Sequence, residues 1–242
     1  MKVVLVTGSS SGIGKAIALR LCAAGDRVVL HGRDEQRLKA AMKEAADRGG
    51  EALAVRGDLR DENQTDRLVQ EAAARWGRLD GLVNNAGSAL RDAPVDRCSA
   101  EEFDRMISEN LCSVFLASRA ALPFLRKSRG AIVNVSSNLG RVHLHGLAAY
   151  SAAKAGVESL TRSMAFDYGR DGVRVNSVLP GLVRTPAAEN DPSFGEQKRL
   201  YESRAALGRI GEPDDVAGIV QFLLSADAAW ITGQGIVIDG GY

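Results

Sequence analysis

The sequence predicts an α/β fold: a doubly wound, seven-stranded, mainly parallel sheet between two layers of helices. Three observations carry this. Short β-branched apolar runs alternate with longer helical patterns along the whole chain. Several of those runs are nearly continuous in apolar residues, as in strands covered on both faces. Strand and helix also follow each other strictly, which implies βαβ crossovers between parallel strands.

The strands are predicted at residues 2–7, 27–31, 52–56, 81–84, 131–136, 174–179 and 235–239. The first helix sets Ile13, Ile17 and Leu21 on one face, and Gly25 stops it. The second spans 34–48 and ends at Gly49 and Gly50. The third starts near Asp61 and closes at Trp76 and Gly77. A long helix covers 99–126, where Pro123 is expected to bend or shorten it. Another covers 148–168, and a last one follows Pro213, a residue suited to a first helical turn. No repeat or composition shift marks a second domain, so residues 1–242 read as one. Residues 185–211 carry weak strand signal, polar side chains and two prolines, which makes them a candidate lid over a site.

Composition narrows the function. Of 242 residues, 45% are apolar and 25% charged, an ordinary globular balance. The net charge of +1 argues against a dedicated nucleic-acid binder, which usually shows a basic excess or stripe. No apolar run approaches a membrane span, and the N-terminal run leads directly into a glycine loop. No membrane partner and a cytoplasmic location are therefore expected. Cys22, Cys98 and Cys112 are scattered and odd in number, which fits neither a disulfide framework nor a zinc site. His143 and His145 lack a third ligand, so no metal is expected.

The first chemical motif is Thr7-Gly8-Ser9-Ser10-Ser11-Gly12-Ile13-Gly14, between the first strand and the first helix. Glycines let the backbone approach a pyrophosphate, and the helix N-terminus offers free N–H groups and a positive dipole end. The spacing is a variant of the dinucleotide fingerprint, which makes the fold Rossmann-type.

With Asp58, Asn84-Asn85-Ala86-Gly87, Asn110, Ser137, Tyr150-x3-Lys154, Pro180-Gly181 and Thr185 added, the chain resembles the compact, single-domain short-chain dehydrogenase/reductases, in particular 3-oxoacyl-carrier-protein reductases. The motifs follow the family's order over essentially the whole chain. The resemblance implies a catalytic tetrad of Asn110, Ser137, Tyr150 and Lys154. Tyr150 would be the general acid for ketone reduction and the general base for alcohol oxidation. The Lys154 ammonium is expected to lower the phenol's pKa and to hold the nicotinamide ribose. Ser137, rather than the neighbouring Ser136, would bond the substrate oxygen, and Asn110 would hold a relay water. Implied cofactor contacts are Gly8, Ser10, Ser11, Gly12, Ile13, Gly14, Arg33, Asp58, Leu59, Asn84, Ala86, Gly87, Tyr150, Lys154, Pro180, Gly181, Val183 and Thr185.

An NAD-preferring site places an acid at the end of the second strand; here that position is Gly32, followed by Arg33. NADP(H) is therefore expected, because nothing repels a 2′-phosphate and a guanidinium fork is at hand. NAD(H) is the alternative, since Ser11 stands where many NADP-preferring relatives carry a base. The partner is a small carbonyl or alcohol substrate, expected near residues 88–91, 138–147 and 182–202. These stretches include Leu90, Asn138, Leu139, Arg141, Val142, His143, Leu144, His145 and Leu182. They suggest a pocket for an apolar body with a polar or anionic end. The resemblance implies a homotetramer, with a dimer as fallback. The competing readings are an NAD-dependent alcohol or sugar dehydrogenase and a nucleotide sensor without turnover. Retention of Tyr150 and Lys154 speaks against the sensor.

Overall fold

The computed structural model describes residues 1–88 and 93–242. Among them, seven strands form one sheet: β1 (Val3–Val6), β2 (Arg27–Gly32), β3 (Ala52–Arg56), β4 (Gly81–Asn84), β5 (Ala131–Val135), β6 (Arg174–Pro180) and β7 (Gly235–Ile238). The order is β3-β2-β1-β4-β5-β6-β7, and every pairing is parallel. The helices are α1 (Gly12–Ala23), α2 (Glu35–Asp47), α3 (Glu62–Trp76), α4 (Ala100–Ile107), α5 (Ser113–Ser128), α6 (Ala148–Tyr168), α7 (Pro186–Glu189), α8 (Phe194–Arg204) and α9 (Pro213–Leu224).

The continuous apolar strands have a simple cause. Successive side chains leave a strand on opposite faces, and both faces here are covered. Val4 and Val6 join a core with Ile17, Leu21, Leu38 and Val220, from α1, α2 and α9. Val3 and Leu5 join a second core with Leu68, Ala117, Ala121 and Met164, from α3, α5 and α6. The helix ends follow local chemistry. Asp34 and Asp61 accept from the backbone N–H of Arg37 (3.0 Å) and Gln64 (3.1 Å) at the starts of α2 and α3. Gly77 ends α3 with a left-handed φ of 71°.

The long helix departs from expectation. Pro123 lies inside an unbroken α5, which Val114, Ala117, Ala121, Leu122 and Leu125 anchor in the core. Packing outweighs the one backbone bond that proline removes. The interruption falls earlier, at a π-helical turn over Ser108–Cys112. Wide turns of this type re-aim side chains within a helix, and this one carries Asn110.

Strand order reverses at β1, which has β2 on one side and β4 on the other. The loops leaving β1 and β4 therefore part in opposite directions and open a crevice at the carboxyl ends of the strands. The residues predicted to carry the chemistry lie at or beyond this edge.

Candidate active site

The glycine loop leaves β1 with Gly8 and Gly12 at φ of 63° and 55°, in the region where side chains are strained. It is built tightly against the segment after β4. The Thr7 hydroxyl accepts from the N–H groups of Asn85 (2.9 Å) and Ala86 (3.0 Å). The Asn85 amide returns hydrogen bonds to the carbonyls of Thr7 (3.0 Å) and Gly8 (3.1 Å). A Cβ at Gly14 would collide with the Gly8 carbonyl and the Asn85 amide. Ser11 is the N-cap of α1 but gives no side-chain cap, so the first-turn N–H groups stay available to a phosphate.

Beyond β5, the two neighbouring serines part. Ser136 donates to the backbone carbonyl of Lys154 (2.9 Å), whereas Ser137 shares a hydrogen bond with the Tyr150 hydroxyl. Tyr150 and Lys154 rise from one face of α6, with the Lys154 Nζ 5.5 Å from the centre of the phenol ring. Lys154 also donates to the Val135 carbonyl (3.0 Å). Burial corrects the expected electrostatics. It pushes the Tyr150 phenol up to about 12, against the pull of the Ser137 hydrogen bond, and brings Lys154 down to about 8. The ammonium does not dominate the phenol; desolvation does.

Asn110 arrives from the π-helical turn. Its amide nitrogen donates to the Met106 carbonyl (3.1 Å), and its buried Oδ1 has no hydrogen-bond partner among the described residues. A Cβ on Gly87 would stand 2.5 Å from that oxygen and 3.7 Å from the Lys154 Nζ. The bare Gly87 thus opens space between two polar groups of the predicted tetrad. A lone buried acceptor, a cradle kept clear by glycine and an uncapped helix start fit a dinucleotide laid across this edge.

Other predicted contacts fall into two groups. Ser10 and Arg33 flank Gly32, where a Cβ would come within 2.9 Å of the Ser10 hydroxyl. Thr185 caps α7 by accepting from the Ala188 N–H (3.2 Å), and its methyl group approaches Gly12. Pro180 ends β6, and a Cβ on the following Gly181 would meet the Tyr201 hydroxyl. Asp58 stands beyond β3, clamped by Arg60 (2.6 Å), which holds its carboxyl below the ordinary range. Ile13 is half-buried against the α1-side core.

Three side chains predicted as cofactor contacts face elsewhere. Asn84 is buried and donates to Asn134 (2.8 Å) and Ser118 (3.0 Å), knitting the sheet to α5. Leu59 is buried in the core of the opposite layer, and Val183 packs in the α1-side core beside the bridge to Gly211. Apolar side chains at element ends gain more from the core than from a polar ligand.

The substrate region is only partly assembled by the described residues. A cavity of about 450 Å³ is lined by Val95, His143, Leu144, His145, Leu147 and Ser151 among others, beside the first turns of α6. Neither Tyr150 nor Ser137 lines it. Leu182 lies instead against a smaller cavity with Ile238 and Asp239, and Asn138 is buried in the short turn after Ser137. Arg141 is withdrawn from the pocket by its ion pair with the buried Glu158 (2.7 Å). The expected anionic end thus loses its arginine. Ala89, Leu90, Arg91 and Asp92 lie outside the described residues.

The family described as enoyl-(acyl carrier protein) reductase matches residues 8–242. The chain is 39% identical over 241 residues to the 3-oxoacyl-(acyl-carrier-protein) reductase of Thermotoga maritima, covering 99% of this chain and 97% of that one. This chain belongs to the short-chain dehydrogenase/reductases. Within that family it is 40% identical to the meso-2,3-butanediol dehydrogenase of Serratia marcescens, with coverage of 99% and 94%. The crystal structure of a levodione reductase superposes with a TM-score of 0.94 at 35% identity, covering 99% of this chain and 96% of that one. As a short-chain dehydrogenase/reductase the chain is a nicotinamide-dependent oxidoreductase acting on CH–OH groups. No helix among the described residues is long and apolar enough to cross a membrane.

Sequence reasoning missed two supports of the site. In the sequence Thr7 and Asn85 stand only as parts of motifs, yet they join the glycine loop to β4. His31 looked like the plain end of an apolar strand; it is buried against that loop. Its one signal was a polar ring in the run Val28-Val29-Leu30-His31.

Proposed function

We propose that this enzyme interconverts a ketone, or a 3-oxoacyl group, and a secondary alcohol with NADP(H), using Tyr150 as the general acid and base. The observation that carries the reading is the Tyr150 hydroxyl, hydrogen-bonded to Ser137 one helical turn from Lys154. The nicotinamide supplies or accepts the hydride. Every other part of the reaction belongs to the chain. A phenol pushed up to about 12 keeps its proton at neutral pH and can deliver it to a carbonyl oxygen that is gaining charge. Ser137 is placed to share that oxygen as a second donor. Lys154 can favour the phenolate left behind, and the Asn110 Oδ1 can hold a water that replenishes the proton.

Gly32 and Arg33 support a preference for NADP(H). Arg33 is exposed and makes no ion pair among the described residues. Arg56 is the register partner of Gly32 across β2 and β3, which brings a second guanidinium to the same edge. Asp58 is neutralised by Arg60, so it does little to repel a phosphate. The segment containing α7 and α8 serves as the lid, and the cavity beside α6 receives the apolar body of the substrate. The assembly is a homotetramer, with the dimer as alternative, and the enzyme works in the cytoplasm.

A panel of ketones, 3-oxoacyl thioesters and secondary alcohols, followed by the absorbance of reduced nicotinamide, tests the reaction. Tyr150→Phe should lower kcat by about 10²–10⁴-fold or more while cofactor binding is retained. A Tyr150→Phe enzyme with undiminished kcat would overturn the mechanism.

A further inference from the structure

We propose that His31 is a positioning residue for the dinucleotide: as a neutral imidazole protonated on Nε2, it locks the phosphate-binding loop to the turn that carries Asp58. The proposal rests on the dinucleotide reading of the loop given above.

The geometry fixes the tautomer. His31 is buried, and its ring lies between two backbone groups of opposite character. Nδ1 is 3.2 Å from the Gly8 N–H, a donor, so Nδ1 must accept. Nε2 is 3.1 Å from the Gly57 carbonyl, an acceptor, so Nε2 must carry the hydrogen. The backbone of His31 is tied to the same loop. Its N–H donates to the Ser9 hydroxyl (2.9 Å), and its carbonyl accepts from the Ser9 N–H (2.8 Å). The Ser9 hydroxyl then donates to the Val6 carbonyl (2.7 Å). One side chain at the end of β2 thus spans the loop after β1 and the turn after β3. Valine or leucine there would fill the space and leave the Gly8 N–H without its acceptor.

Gly8 holds a left-handed φ of 63°, so an anchor on its N–H directly fixes the loop's path. Gly57 immediately precedes Asp58. The two ends of the adenosine side of the crevice are therefore held at a fixed spacing through one ring. Protonation would break this. An imidazolium carries hydrogen on both nitrogens, so its Nδ1–H would point at the Gly8 N–H, donor against donor. The charged groups acting on the ring are Asp58, after β3, which favours the proton, and Arg33, after β2, which opposes it. The loop residues Gly8 to Gly14 contribute no titratable side chain. Burial outweighs Asp58 and holds the ring below the ordinary 6.5. The loop is thus locked at neutral pH and released by acid.

The test is the Kd of NADPH and NADH, measured by calorimetry from pH 5 to 8 on wild type, His31→Asn and His31→Phe. Asparagine can offer Oδ1 to the Gly8 N–H and does not titrate. Wild type should bind more weakly as pH falls below the ordinary histidine value. His31→Asn should lose that acid limb while staying near wild-type affinity at pH 7.5. His31→Phe should raise Kd by about tenfold at neutral pH, with the substrate KM unchanged at saturating cofactor. An acid limb in His31→Asn equal to that of wild type overturns the proposal, whether or not His31→Phe folds. So does a His31→Phe protein that binds as wild type does. A wild type that binds neither nucleotide overturns the dinucleotide reading itself, and the His31 role with it.

Discussion

At the carboxyl edge of β2, a missing side chain and an exposed guanidinium carry the proposed choice between two cofactors that differ by one phosphate. Gly32 carries no carboxylate, and a Cβ there would press on the Ser10 hydroxyl. Arg33 and Arg56 then face solvent with no ion pair among the described residues. Replacing Arg33 by alanine should lower the ratio of kcat/KM for NADPH over NADH by about 10–100-fold, the range of one charge-assisted hydrogen bond. The NADH value itself should hardly move. A ratio unaffected by the change, or a wild type that prefers NADH, would remove the assigned preference. The same scale shows why sequence misjudged the Tyr150 phenol. Spacing places Lys154 one turn away, but only the folded chain reveals that burial raises the phenol and lowers the ammonium.

Elements are joined at this site by polar side chains that the sequence leaves anonymous. The Asn84 amide bonds Ser118 on α5 and Asn134 on β5, and Asn134 donates to Thr161 on α6 (2.8 Å). Thr161 passes the chain on to the Val157 carbonyl (2.7 Å). A ladder of buried hydrogen bonds therefore crosses from one helix, through two strands, to the helix that carries Tyr150. Removing its centre with Asn134→Ala takes one partner from Asn84, which keeps Ser118, and one from Thr161, which keeps the Val157 carbonyl, and should cost about 1–3 kcal/mol. A lower urea midpoint at unchanged slope would show it, and a midpoint equal to wild type would mean that water replaces the lost partner. The Asn-Asn-Ala-Gly motif was legible as a unit, but its division of labour was not. Asn84 serves the sheet while Asn85 serves the glycine loop, because successive residues at the end of β4 turn to different neighbours.

Over the whole molecule, several large apolar side chains are exposed. Phe115 on α5 and Phe166 on α6 are exposed, Phe166 at 90%. On another side, Trp230 is fully exposed near the edge strand β7, with Val237 on that strand 42% exposed. Exposed apolar side chains of this size suit the homotetramer proposed above. Sedimentation should give a tetramer for the wild type. Phe166→Glu and Trp230→Glu should each reduce it to a dimer, at most a modest change in the fold of the chain. A monomeric wild type would remove the tetramer and its dimer alternative together.

The sequence by itself determined the doubly wound sheet, the phosphate loop and the order of the chemical motifs. These depend on local rules: alternation across a strand, glycine at tight turns, caps at helix starts, and fixed spacing on one helix. Only the tertiary structure decided which side chain of each motif turns to the crevice. It moved the break in the long helix from Pro123 to the turn bearing Asn110, withdrew Arg141 onto Glu158, and put His31 between Gly8 and Gly57. The physical reason is the same in each case. Burial and hydrogen-bond satisfaction are set by neighbours far apart in the chain, and a sequence read locally cannot see them.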